Sequence, residues 1–166
     1  MAFDTYLQIA GVTGEATAAG NVGWIEIFSF SWGASNPTTV GTGTSGLAAG
    51  KVSVSSFNVM KKTEVSSAAL FAACCAGQHY ATAKVQMKKA TGTSGGQAVF
   101  LEYDFTDVMV ESIQWSGSSG GDDTPTESVS FAFGKVSVKY SQQNTETGAM
   151  EVKGNASWDL TKAAKG

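Results

Sequence analysis

The chain has 166 residues, 42% of them hydrophobic, which is the size and composition of one domain with a single sizeable core. Its 11 basic and 14 acidic side chains leave a formal net charge of -3, so no positive surplus exists to neutralise a phosphate backbone, and nucleic-acid binding is excluded as a leading function. No apolar run reaches the roughly 18 residues of a membrane span, and "MAFDTYLQIAG" lacks a basic segment followed by an apolar one. Neither membrane insertion nor a cleavable signal peptide is expected, and the protein should be made in the cytoplasm.

Many Val, Ser and Thr residues, with 20 glycines against 2 prolines, predict a mainly β protein with many turns. The first strand is read at 3–9. The second, 24–33, carries Trp24, Phe28, Phe30 and Trp32 on one phase and Ile25 and Ile27 on the other, as if both faces were buried. Residues 36–50, uncharged and rich in glycine, read as a long loop rather than a paired element, with Val40 and Leu47 available to bury. A third strand covers 51–60, and its apolar phase shifts between Val54 and Phe57 as at a bulge.

One helix is expected at about 66–76. Ser66 or Ser67 is placed to cap its start, Gly77 to end it, and Leu70, Cys74, Phe71 and Cys75 to form its apolar stripe. Strands follow at 80–90, at 99–115 with a phase change near Asp107, at 127–140 with a swap to Val136, and at 150–160. Roughly seven or eight antiparallel strands with one outer helix predict a small two-sheet barrel or sandwich.

The sequence offers little chemistry. Cys74 and Cys75 are adjacent, cannot readily bond to each other, and read as buried reduced thiols. His79 stands four residues after Cys75, yet a histidine just past a helix end serves most simply to bond the last carbonyls. Asp122 and Asp123 lack the spacing of a calcium loop. Glu26, Glu102 and Asp104 show no spacing that converges on a pocket. "GTGTSG" (41–46) has Leu47 and Ala48 where a phosphate loop needs Lys and Ser or Thr. The lysine pairs of "KKTEV" and "MKKA" read as solvated faces. No catalytic group, metal or cofactor is expected. A monomeric β-sandwich that binds a carbohydrate or other ligand is the alternative to a structural role, although Trp24, Trp32 and Trp158 sit in core-like phase.

Several blocks in order, "MAFDTYLQIAGVTGEA", "IEIFSFSWG", "AAGKVSV", "CCAGQHYATAKVQMKKA", "TESVSFAFGKVSVKY" and a late "WDL", resemble the haemolysin-coregulated protein (Hcp) family, the tube subunit of bacterial type VI secretion systems. The resemblance implies a single domain over 1–166, a small antiparallel two-sheet β-barrel with one flanking helix, assembling as a hexameric ring. It also implies stacked rings driven out of the cell by a contractile sheath behind a spike protein of the VgrG type, with small effector proteins in the lumen and no cleavable signal. By the same resemblance Ser31 and Ser119 face or border the lumen. The loop at about 37–50, with Thr39, Val40, Gly41, Gly43, Gly46 and Leu47, becomes an arm that reaches a neighbouring copy. Asn21 stands where many members carry histidine. With only the short tail at 161–166 after "WDL", no fused toxin domain is expected.

Overall fold

A computed structural model describes residues 2–41, 46–91, 96–121 and 123–166. The strands are β1 (Asp4–Ile9), β2 (Ile25–Ile27), β3 (Ser29–Ser31), β4 (Ala34–Ser35), β5 (Thr38–Val40), β6 (Leu47–Ala49), β7 (Ser53–Val54) and β8 (Phe57–Lys62). Helix α1 (Ser66–Ala76) follows, then β9 (His79–Ala90), β10 (Gln97–Ser116), β11 (Thr126–Gln143) and β12 (Met150–Asp159).

Eight strands form one antiparallel sheet in the order β2, β1, β9, β10, β11, β8, β3, with β12 also on β11. Because β2 and β3 are consecutive, the sheet's two ends are adjacent in the chain and it curls into a nearly closed barrel. The mainly β barrel with one helix agrees with the expectation.

The second strand solves its two-sided pattern by inverting. β2 bonds to β1 and β3 bonds to β8, with Phe28 between them donating its N–H to the Met60 carbonyl at 3.0 Å. Ile25 and Ile27 point inward before this break, and Phe30 and Trp32 pack on the same core after it. Phe28 is left exposed, so the strand is not buried on both faces.

A second inversion occurs deeper in the sheet. Asp107 adopts φ 57, and the paired residues on either side place it opposite Gly134. Inward positions therefore run Tyr103, Phe105, then Val108, Val110 on β10, and Val129, Phe131, then Val136 on β11. At that level β11 changes its outer neighbour from β8 to β12. The interior is aromatic: Phe57 lies 5.0 Å from Phe105 and 5.2 Å from Phe131 between ring centres, and Trp32 lies 5.2 Å from Tyr103.

Helix α1 buries Leu70 and Ala73, with Cys74 packed at the core's edge. Phe71 and Cys75, expected on the same stripe, are exposed, because the helix buries its 66, 67, 70 and 73 positions against the barrel and leaves Cys74 at the edge. Neither serine caps it through its own hydroxyl as an N-cap. The Glu64 carboxylate accepts from the Ser66 N–H at 3.2 Å, and the Ser67 hydroxyl accepts from the Glu64 N–H at 2.9 Å. Gly77 ends the helix as expected, at φ 64 and ψ 36, a conformation that penalises any Cβ.

Residues 36–50 are not an unpaired loop. β5 and β6 form a hairpin with Thr38 opposite Ala49 and Val40 opposite Leu47, on a stalk made by β4 and β7. Val, Thr and Leu at the paired positions have the β propensity that the surrounding glycines obscured.

Candidate functional site

The hairpin arm presents Val40 and Leu47 to solvent, 81% and 71% exposed. Thr39 stands between Thr38 and Val40 on β5, and the Gly41 N–H donates to the Gly46 carbonyl at 2.9 Å to close the end. Gly43 lies outside the described residues. The structure thus gathers Thr39, Val40, Gly41, Gly46 and Leu47 into one uncharged element.

Ser31 lies on the solvent side of β3. Register places it in a row with Asn58 and Ser130, and Ser112 follows beside Ser130. Asn58 joins the row by donating from Nδ2 to the Ser31 and Ser56 carbonyls and accepting at Oδ1 from the Ser130 hydroxyl. A second row holds Ser29, Met60, Ser128 and Gln114. Hydroxyls and amides therefore predominate on the outer face of β3, β8, β11 and β10, with Met60 among them and the Glu111 carboxylate accepting from Ser56 beside Asn58. Ser119 sits at the end of the β10–β11 hairpin, where residues 115–119 and 123–126 line an open cleft of 740 Å³. Ser31 and Ser119 are thus associated with one polar sheet face and its end, not with one pocket.

Behind that hairpin lies a charged group that sequence reasoning missed. Lys61 and Glu127 have no exposed side-chain surface, and Lys61 Nζ is 2.6 Å from Glu127 Oε2. That oxygen has no well-angled hydrogen bond and relies on the lysine charge, while Oε1 accepts from the Trp115 indole N–H at 2.6 Å. Lys61 also donates to the Ser67 hydroxyl at 3.1 Å, tying the pair to the start of α1. Above it, Trp115 packs on Phe71 with 5.6 Å between ring centres, and both are exposed. In "KKTEV" the solvated-face reading therefore holds for the exposed Lys62 and fails for Lys61. In "MKKA" Lys89 is partly exposed, whereas Lys88 is buried beneath the 10–23 segment and donates to the Ala19 carbonyl at 3.0 Å.

A third polar group spans β9, β10 and β11. Glu102, 8% exposed, accepts from Gln86 at 2.7 Å and pairs with Lys139 at 3.2 Å and Lys84 at 3.6 Å. Burial pushes its carboxyl up, but the bonds from Gln86 and Lys139 and the two lysine charges prevail and hold it below the usual carboxylate range. Asp104 is shifted upward instead, by burial and then by the Glu102 charge, despite Lys84 at 3.3 Å. Lys84 is raised: burial opposes its charge, and the two carboxylates outweigh it. Asn21 is fully buried and extends this chain of bonds by donating to Gln86 at 3.0 Å.

The remaining candidates are dispersed. His79 faces Asp107 at 3.1 Å rather than the helix carbonyls, and both are exposed. Cys74 is half-buried and Cys75 exposed, so the thiols are not both in the core; the turn of α1 puts Cys75 on the solvent side. Glu26 and Phe28 line a second cleft that shares Asp123 with the one at the β10–β11 hairpin end, and Asp122 lies outside the described residues. Among the described residues no cluster of three His, Cys, Asp or Glu could hold a metal, and no helix is long and apolar enough to cross a membrane.

A nearly closed antiparallel barrel with one flanking helix and a projecting hairpin arm is the fold of this chain, and comparison with known proteins gives its class. A family model described as "Type VI secretion system effector, Hcp" matches residues 6–140. Protein hcp1 of Pseudomonas aeruginosa is 35% identical over 96 residues, 58% of this chain and 57% of that protein. The chain therefore spans little more than half the length of that curated relative. A solved type six secretion system protein is 36% identical, with a TM-score of 0.90 over 99% of this chain and 100% of its own. Hcp1 from Salmonella typhimurium is 27% identical, with a TM-score of 0.76 over 99% of both chains. The chain belongs to the Hcp family of type VI secretion proteins.

Proposed function

We propose that the chain is a single-domain subunit of a type VI secretion inner tube, closing in sixes into a ring and stacking ring on ring. The observation that carries this reading is the arm. A hairpin with its largest apolar pair almost wholly in water gains by lying on another copy. Family membership supplies the context. β12 agrees with it, since Val152 is 57% exposed and Lys153, Gly154, Asn155 and Ala156 are exposed beside it.

In this arrangement the Ser31 face, on which hydroxyls and amides predominate, borders the channel, and Ser119 marks its rim. Such a wall holds water and binds small effector proteins weakly, with avidity from repeated subunits. The further partners are a contractile sheath and a spike of the VgrG type, which together carry the assembled tube out of the bacterial cytoplasm. The role is structural, with the arm's Thr39, Val40, Gly41, Gly43, Gly46 and Leu47 as contact residues.

Light scattering on a sizing column tests it, backed by negative-stain images. A species six times the 17.1 kDa chain with a central hole is expected. A chain that stays monomeric at high concentration refutes the reading.

A further inference from the structure

The arm does not hang from the barrel as a free loop. At its root the Gly33 N–H donates to the Ser55 hydroxyl and the Ser55 N–H to the Gly33 carbonyl, both at 2.9 Å. The β4–β7 ladder follows, ending at the Ser35–Ser53 pair, and the arm proper begins at Thr38–Ala49. Between these pairs one side contributes residues 36–37 and the other 50–52. An unequal count of this kind bends an antiparallel ribbon.

The bend is fastened. The Gly50 N–H is shared between the Pro37 carbonyl at 2.8 Å and the Asn36 Oδ1 at 2.9 Å. Pro37 has its φ fixed by its ring. A Cβ at Gly50 would stand 2.6 Å from the Pro37 oxygen and 2.9 Å from its Cγ, so only glycine permits this approach. All three residues are exposed, and none contributes to the barrel core. What their bonds fix is the direction of β5 and β6.

We infer that Asn36, Pro37 and Gly50 form a clasp that sets the arm's angle before another copy of the chain is met. They act as positioning residues for assembly, not as contact residues. The inference rests on the tube-subunit reading, and its physical basis is preorganisation: an arm already held at the competent angle loses less freedom on docking, and a loosened arm binds in proportion to the fraction correctly placed.

The test uses the full chain, its Asn36→Ala, Asn36→Asp and Gly50→Ala variants, and Leu47→Asp as a contact control. Sedimentation over a concentration series reads assembly, and hydrogen exchange reads the Gly50 amide. Asn36→Ala and Gly50→Ala should raise the assembly midpoint about five-fold or more with thermal unfolding of the dissociated chain unchanged. Asn36→Asp keeps the acceptor and should restore the wild-type midpoint. If Asn36→Ala and Gly50→Ala assemble like wild type while Leu47→Asp does not, the clasp is refuted and the tube reading stands. If the wild type never assembles, the tube reading falls. The Gly50 amide then decides the clasp: exchange about five-fold faster in Asn36→Ala than in wild type supports it, and equal exchange overturns it.

Discussion

Replacing Lys61 with methionine removes the one cation that, among the described residues, pairs with Glu127, a carboxylate with no exposed side-chain surface. In Lys61→Met the Glu127 Oε1 keeps the Trp115 N–H, and Oε2 loses its sole compensation. Breaking a buried pair from one side costs about 3–5 kcal/mol. For a domain of this size each kcal/mol is worth about 2–4 °C, so the thermal midpoint should fall by roughly 6–20 °C. The Lys61→Met, Glu127→Leu double variant removes both charges and should recover most of that loss, because the penalty lies in the unpaired charge rather than in the missing attraction. Thermal unfolding by circular dichroism at one fixed chain concentration keeps any assembly term constant. Tryptophan emission adds a local readout, since Trp115 is held by the same carboxylate. A single variant that loses less than about 1 kcal/mol, or a double variant as unstable as the single, would refute the reasoning.

Other expectations address the surface and the outer network. Leu47→Asp should leave the thermal midpoint of the dissociated chain unchanged and weaken ring or tube assembly, read by sedimentation. Bulky residues at Ser31 or Ser119 should spare the ring and reduce retention of small effectors in a co-purification assay; loss of the ring would show that these positions do not border the lumen. Glu102 is lowered in the folded state, so its stabilisation is present above its unfolded pKa and disappears as pH falls through the lowered folded value. Asp104, shifted upward, contributes with the opposite sign. Glu102→Gln should therefore be less stable than wild type at neutral pH, with the gap closing in acid, as denaturant titrations at several pH values would reveal.

The barrel was legible because its long strands alternate and because phase changes at Asp107 and near Val136 mark real inversions. The end of α1 was legible from Gly77 alone. The arm was misread as unpaired because the ladder segments are only two and three residues long, too short for periodicity to register among glycines. Lys61 and Lys88 were misread because the partners that go with their burial are distant in sequence: Glu127 arrives through the β8–β11 register, and the Ala19 carbonyl through a covering segment, while the nearby Glu64 at 3.8 Å gives no sign that Lys61 is buried. Neighbouring charges cannot reveal such burial. The two-sided strand was the most informative error, since its pattern was correct and the missing fact was a change of partner at Phe28. Val40, Leu47 and Val152 are exposed apolar side chains of the arm and β12, and exposure in one copy was not readable from their place in the pattern.

The hairpin of β10 and β11 has a mechanical consequence. Its strands contain 20 and 18 residues and pair from Leu101–Tyr140 to Ser116–Thr126, so the ladder extends for roughly 50 Å and runs along both the barrel and the β12 extension as one spar. Antiparallel ladder bonds lie across the strands. A pull along the spar loads many of them in parallel and must shear them together, whereas a pull across its end peels them one after another. Such a ribbon resists a pull along its length more than a pull across its end, and the left-handed Asp107, opposite Gly134, interrupts its regular ladder near the middle.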